Sequence, residues 1–185
     1  MSARSASKFD VQDVVFIGVF AALMAVFSWI SIPTVVPFTL QTFGVFLALT
    51  LLGGKRGTLA ILVYILLGAV GLPVFSGFTG GIGRLLGTTG GYIFGFLATG
   101  LIYMLYEKLA EKKSLGLEAL VLLAGLFACY VLGTAWFMVV YAGSKGAVSL
   151  GTVLGWCVIP FILPDLVKLA LALAVGRRIR KTGVL

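Results

Sequence analysis

The chain has 185 residues, 61% of them hydrophobic and 11% charged, which is the composition of a single polytopic membrane unit. A net charge of +8 would suit nucleic acid, but the Lys and Arg residues stand in short clusters beside apolar runs, the pattern of membrane topology signals. Histidine is absent; Cys129 and Cys157 lie in apolar runs without pairing or ligand spacing and read as small core residues, so neither a nucleic acid nor a metal is expected as a partner.

Six membrane helices are expected in chain order. The first covers residues 14–32, an uncharged run that spans most of a ~30 Å hydrocarbon core at ~1.5 Å per residue. No small-residue cleavage site follows it, which argues against a cleavable signal peptide. Gly18, Ala21, Ala22 and Ala25 recur at i, i+3, i+4 and i+7 and put small side chains on one face, suited to close helix contact either inside the bundle or with a separate membrane subunit. Pro33 and Pro37 then mark a loop or broken lead-in to a short second helix, 38–52, with Thr39 and Gln41 at its start. A basic turn, GGKRG at 53–57, leads to helix three, 58–72. It is not a phosphate loop, because Leu49 and Arg56 stand where that pattern needs Gly and Ser or Thr.

The stretch GLPVFSGFTGGIGRLLGTTGGYIFG, residues 71–95, carries nine glycines and a lone Arg84 between strongly apolar segments. Irregular backbone at membrane depth is tolerated only where protein covers it or where it lines a cavity. Its central part, 73–90, is therefore read as a loop covering a pocket. Gly83, Gly87, Gly91 and Gly95 recur every fourth residue and, if helical, form a groove for a backbone or a flat ligand. Helix four is placed at 91–106, helix five at 117–141, and helix six at 152–175, interrupted by Pro160 and Pro164.

With the N-terminus inside, Arg4, Lys8, Lys55, Arg56, Lys108, Lys112, Lys113, Arg177, Arg178, Arg180 and Lys181 fall on the cytoplasmic side, and only Arg84 and Lys145 in outer loops. This positive-inside bias predicts two cytoplasmic termini and an outward glycine-rich loop. The last helix holds the only carboxylate inside a membrane run, Asp165, three residues before Lys168. Each costs ~2.5–3.5 kcal/mol at a helix centre, so each needs a partner or a function. The spacing lets them meet, and a self-neutralising structural pair is the alternative to a ligand site. Arg84, Asp165 and Lys168 together suit a small, mostly apolar solute with one carboxylate and some N–H donors.

VPFTLQTFGV (36–45), LGAVGLPVFSGF (67–78), GGIGRLLGTTGGYIFGF (80–96) and PDLVK (164–168), in this order, resemble the BioY family, the biotin-specific S components of energy-coupling-factor (ECF) transporters. Thr88 stands where that family commonly has Pro. The resemblance implies an all-α, six-helix S-component fold in a prokaryotic cell membrane and capture of biotin from outside. It also implies docking of the small-residue face on a transmembrane coupling subunit (T component) driven by two ATPase subunits; ATP is the partners' fuel, and no cofactor of its own is implied. Asp165 would accept a ureido N–H, and Arg84 or Lys168 would pair with the carboxylate; Tyr92, Gly91, Phe75, Phe78, Thr39 and Gln41 complete the candidate pocket. A sister S component for another vitamin, a small intramembrane enzyme and a scaffold remain as alternatives. The enzyme is disfavoured because one membrane carboxylate and no His leave no acid–base or metal constellation.

Overall fold

The computed structural model describes residues 10–110 and 114–183; Arg4, Lys8, Lys112 and Lys113 lie outside the described residues. Helix α1, Val11–Trp29, starts three residues earlier than expected because Asp10 caps it: its carboxylate accepts from the Val11 N–H at 2.7 Å, and Asp13 reaches back to the Asp10 N–H. After α1 the chain makes a two-residue antiparallel ladder, β1 (Ser31–Ile32) with β2 (Phe38–Thr39), around the proline-bearing turn. Here the sequence reading had a helix beginning at Phe38. Pairing holds Phe38 and Thr39 extended, and helix α2, Gln41–Ala69, begins just after them.

Four helical stretches among the described residues are long and apolar enough to cross a membrane: α1, α2, Leu115–Lys145 and Leu150–Thr182. Length alone misrepresents α2, which is not one rod. Gly53 sits at φ 78°, ψ 175° inside it, and Gln41 Nε2 donates to Tyr64 Oη at 2.5 Å although the two residues are 23 apart in sequence. A straight helix would separate them by ~34 Å. The chain therefore doubles back at Gly53, and α2 is a hairpin of two short legs. Lys55 and Arg56 do not form a loop but lie in the first turn of the second leg, where a helix N-terminus disfavours cations. Carboxylates offset this: Arg56 Nη2 pairs with Asp13 Oδ1 at 2.9 Å, and Glu107 Oε2 accepts from the Gly54 N–H at 2.5 Å.

The glycine-rich segment folds into a turn closed by Phe75 N–H to Thr79 O (2.9 Å) and a one-and-a-half-turn helix α3, Ile82–Leu86. Gly87 is extended at φ −72°, ψ 176°, so the every-fourth-residue glycines do not share one helix. Helix α4, Gly90–Leu109, packs tightly on α5, Leu115–Lys145. A Cβ on Gly91 would fall 2.2 Å from Trp136 Cβ, and one on Gly95 2.6 Å from Cys129 Sγ. These two glycines let the helices approach each other, and Gly91 is a packing residue, not a wall of the pocket described below.

The final segment is α6, Leu150–Cys157, and α7, Ile159–Thr182, separated at Val158 (φ −126°, ψ −59°). Pro160 opens α7, where its missing N–H is harmless. The helix continues well past the expected residue 175, so Arg177 to Lys181 project beyond the apolar run, and Arg180 Nη2 clasps Glu118 at the start of α5 (3.0 Å). Counting the two legs of α2 separately, and α6–α7 as one broken helix, gives six long helical segments among the described residues, built around α2, α4 and α7.

The face of α1 that turns inward is Ile17, Phe20, Ala21, Met24, Ala25 and Ser28. The stripe of small residues is thus split. Ala21 and Ala25 are buried in the bundle, while Gly18 and Ala22 stay exposed. The i, i+3, i+4 pattern was right about close packing; half of it serves packing within the chain.

Candidate functional site

A cavity of about 80 Å³ lies between the N-terminal part of α2, the glycine-rich segment, α4, α5 and α7. Of the residues singled out from sequence, Thr39, Gln41, Phe75, Arg84, Tyr92, Asp165 and Lys168 line it. Phe78 does not. Gly77 (φ 73°) and Phe78 itself (φ 55°) turn the chain outward, leaving Phe78 65% exposed and stacked on Trp29 at 5.0 Å.

Asp165 and Lys168 are 2% and 5% exposed and face each other one turn apart on α7, with Lys168 Nζ 2.7 Å from Asp165 Oδ1. Two hydroxyls absent from the sequence reading complete the cluster. Thr42 Oγ1 donates to Asp165 Oδ1 at 2.8 Å, and Tyr130 Oη donates to Asp165 Oδ2 at 2.7 Å. Lys168 Nζ also donates to the Thr39 carbonyl (2.7 Å) and to Thr42 Oγ1 (3.1 Å), and lies 4.3 Å from the centre of the Phe38 ring. The local fold explains the cluster. The β1–β2 ladder ends at Thr39 and turns its carbonyl toward α7, while α2 starts in time for Thr42 to face the same point.

The hydrogen bonds decide what the cluster has left to offer. A carboxylate has about four acceptor positions and an ammonium three donors. Lys168 spends all three on Thr39, Thr42 and Asp165. Asp165 Oδ1 takes two donors, Oδ2 only Tyr130, so one acceptor position on Oδ2 is open. The Arg84 side chain, on α3, makes no hydrogen bond or ion pair among the described residues while lining the same cavity. Apolar and sulfur-bearing walls surround these groups: Phe75, Ile93, Phe96, Phe161, Cys129 and Cys157. The site thus holds one open anionic acceptor at one end, one uncommitted guanidinium on the loop side, and an apolar midsection.

Tyr130 had a readable signal. In the long apolar run of α5, Tyr130 and Thr134 are hydroxyl side chains four apart in mid-span, and a buried hydroxyl seeks a partner. Thr42 had none beyond lying next to Gln41, whose own amide is directed to Tyr64.

Comparison with known proteins agrees with this architecture. The BioY family model matches residues 2–183. The chain is 43% identical over 176 residues to the biotin transporter BioY of Thermotoga maritima, covering 94% of this chain and 99% of that one. It is 40% identical over 171 residues to the probable biotin transporter BioY of Pyrococcus horikoshii, covering 91% and 96%. Its fold superposes on a crystal structure of the S component for biotin from an ECF-type ABC transporter with a TM-score of 0.81, at 28% identity and 95% coverage of both chains. With the family match running nearly end to end and the six-segment fold superposing over almost its full length, the chain belongs to the BioY family.

Proposed function

We infer that the protein captures biotin and mediates its uptake as the substrate-binding S component of an ECF transporter, and is not an enzyme. The observation that carries this reading is the unequal commitment of the charged groups in the cavity. Biotin presents two ureido N–H donors, an apolar thioether ring and a carboxylate on a flexible chain. Asp165 Oδ2 has one acceptor position open beside Tyr130 and takes a ureido N–H as a charge-assisted bond. The thioether ring matches the apolar midsection in polarity, with the cavity widening to receive it. Arg84, not Lys168, pairs with the valerate carboxylate, because the Lys168 ammonium is already fully bonded. Lys168 instead holds Asp165 in place, so that the acceptor is oriented before the ligand arrives.

The orientation with both termini in the cytoplasm and the cavity facing out rests on the distribution of Lys and Arg. The coupling partner would be a transmembrane T component carrying two ATPase subunits, and Gly18 and Ala22, the exposed half of the small-residue stripe, are the part of α1 free to meet it.

The test is calorimetric titration of the purified single chain in detergent with biotin, riboflavin and thiamin. Tight binding of biotin alone is expected. Binding of a different vitamin in preference to biotin would assign the fold to another solute.

A further inference from the structure

A second cavity, about 600 Å³, lies on the other side of α5, between it and α6–α7. Its walls are apolar side chains such as Phe127, Val131, Leu154 and Ile162, with the hydroxyl-bearing Tyr130 and Thr134 also lining it. Phe127 and Val131 are largely exposed, so the groove opens sideways, at the depth of the membrane. We propose that it takes one acyl chain of an anionic phospholipid whose phosphate sits at Lys145.

Three features carry this. The first is a cation just beyond the α5–α6 end of the groove. Met138 lines the groove, and Lys145 follows it by seven residues, two turns on along the same face of α5. Lys145 is exposed, lies 5.7 Å from the Tyr141 ring centre, and makes no ion pair among the described residues. The second is an aromatic pair joining the two walls near that end: Tyr141 of α5 meets Trp156 of α6 at 6.1 Å, the residue types that mark the headgroup level of a bilayer. The third is depth. Lys145 lies fifteen residues from Tyr130, ~22 Å at helical rise. One leaflet of the hydrocarbon core is ~15 Å and its headgroup layer ~5–7 Å. A phosphate at Lys145 therefore brings the end of its acyl chain to Tyr130, where the groove meets the wall it shares with the polar cavity.

The test is native mass spectrometry of the delipidated full chain, incubated with equal amounts of dioleoyl phosphatidylglycerol and dioleoyl phosphatidylcholine. One bound phosphatidylglycerol is expected, preferred about fivefold over phosphatidylcholine, the factor one interfacial lysine supplies. Lys145→Ala should abolish the preference without loss of folding, since the side chain is on an exposed turn. Ala135→Phe with Leu154→Phe should fill the groove and remove the adduct. Equal retention of the two lipids, or an adduct unchanged by both variants, would overturn the proposal. So would a dimer that the filled groove converts to a monomer, since the occupant would then be a second copy of the chain.

Discussion

Two ends of this molecule hold ion pairs between a buried carboxylate and a cation, two pairs at one end and one at the other, and they are built differently. At the far end from the cavity, Glu118 pairs with Arg180 and Asp13 with Arg56, and the arginines are 37% and 45% exposed. Each cation keeps water on one side, and each pair ties the start of one helix to another: α1 to α2, α5 to α7. At the cavity end, Asp165 and Lys168 are both nearly sealed and lie on one helix, so their mutual bond joins no two elements, and it is Thr42, Thr39 and Tyr130 that link the pair to α2, β2 and α5. Unlike the far-end pairs, this one lines a cavity and is sealed from water, and what it presents there is the basis of the proposed role. Here that is the open acceptor on Asp165 Oδ2.

The largest test of this contrast removes one charge from the sealed pair. Lys168→Met leaves Asp165 with only hydroxyl donors and should destabilise the protein by about 3–5 kcal/mol, whereas the double change Asp165→Leu, Lys168→Met should recover most of that while binding no biotin. Thermal unfolding in detergent, run beside calorimetry, separates the two effects. If the double variant still binds biotin, the presenting role is wrong. Arg84→Ala comes next. It should weaken biotin by about 1.5–3 kcal/mol, the range for a hydrogen bond to a charged group, with the melting temperature unchanged. Biotinamide, which lacks the carboxylate, should bind the variant and the parent alike; a loss for biotinamide too would move the carboxylate contact elsewhere.

Gly53→Ala probes the α2 hairpin, which holds the carboxylate-capped turn at the far end. Forcing φ 78°, ψ 175° on a residue with a Cβ should lower stability by about 1–3 kcal/mol, seen as earlier unfolding with biotin affinity intact. The smallest effect belongs to the half-exposed arginine: Arg180→Gln should change stability by no more than about 1 kcal/mol and leave biotin titrations superimposable. A drop comparable to that of Lys168→Met would erase the distinction between the two ends.

Much of this arrangement could be read from residue types. Asp165 and Lys168 stood out because a charge in an apolar run needs a reason, and the spacing of i, i+3 brought them together as expected. Arg84 stood out in the same way. What escaped was set by backbone geometry over distances that periodicity does not reach. The ladder at Phe38–Thr39 delays α2 and so brings Thr42 onto Asp165. The positive φ at Gly77 and Phe78 turns one aromatic out of the cavity while Phe75 stays in. The turn of the stripe on α1 buries Ala21 and Ala25 while exposing Gly18 and Ala22, a rotation that the four-residue pattern leaves open. Gly91 read equally well as ligand contact or packing, and its distance to Trp136 assigns it to packing.

The size of the polar cavity has a kinetic consequence. At about 80 Å³ it is well below the ~300 Å³ at which ligand pockets begin. If the glycine-rich segment with α3 must move aside to admit a bicyclic solute, the rate of capture is limited by how often that happens. Association then levels off with rising ligand concentration at the opening rate. The apparent affinity is the intrinsic one reduced by the fraction of open molecules, and the same closed walls that slow arrival slow departure as well.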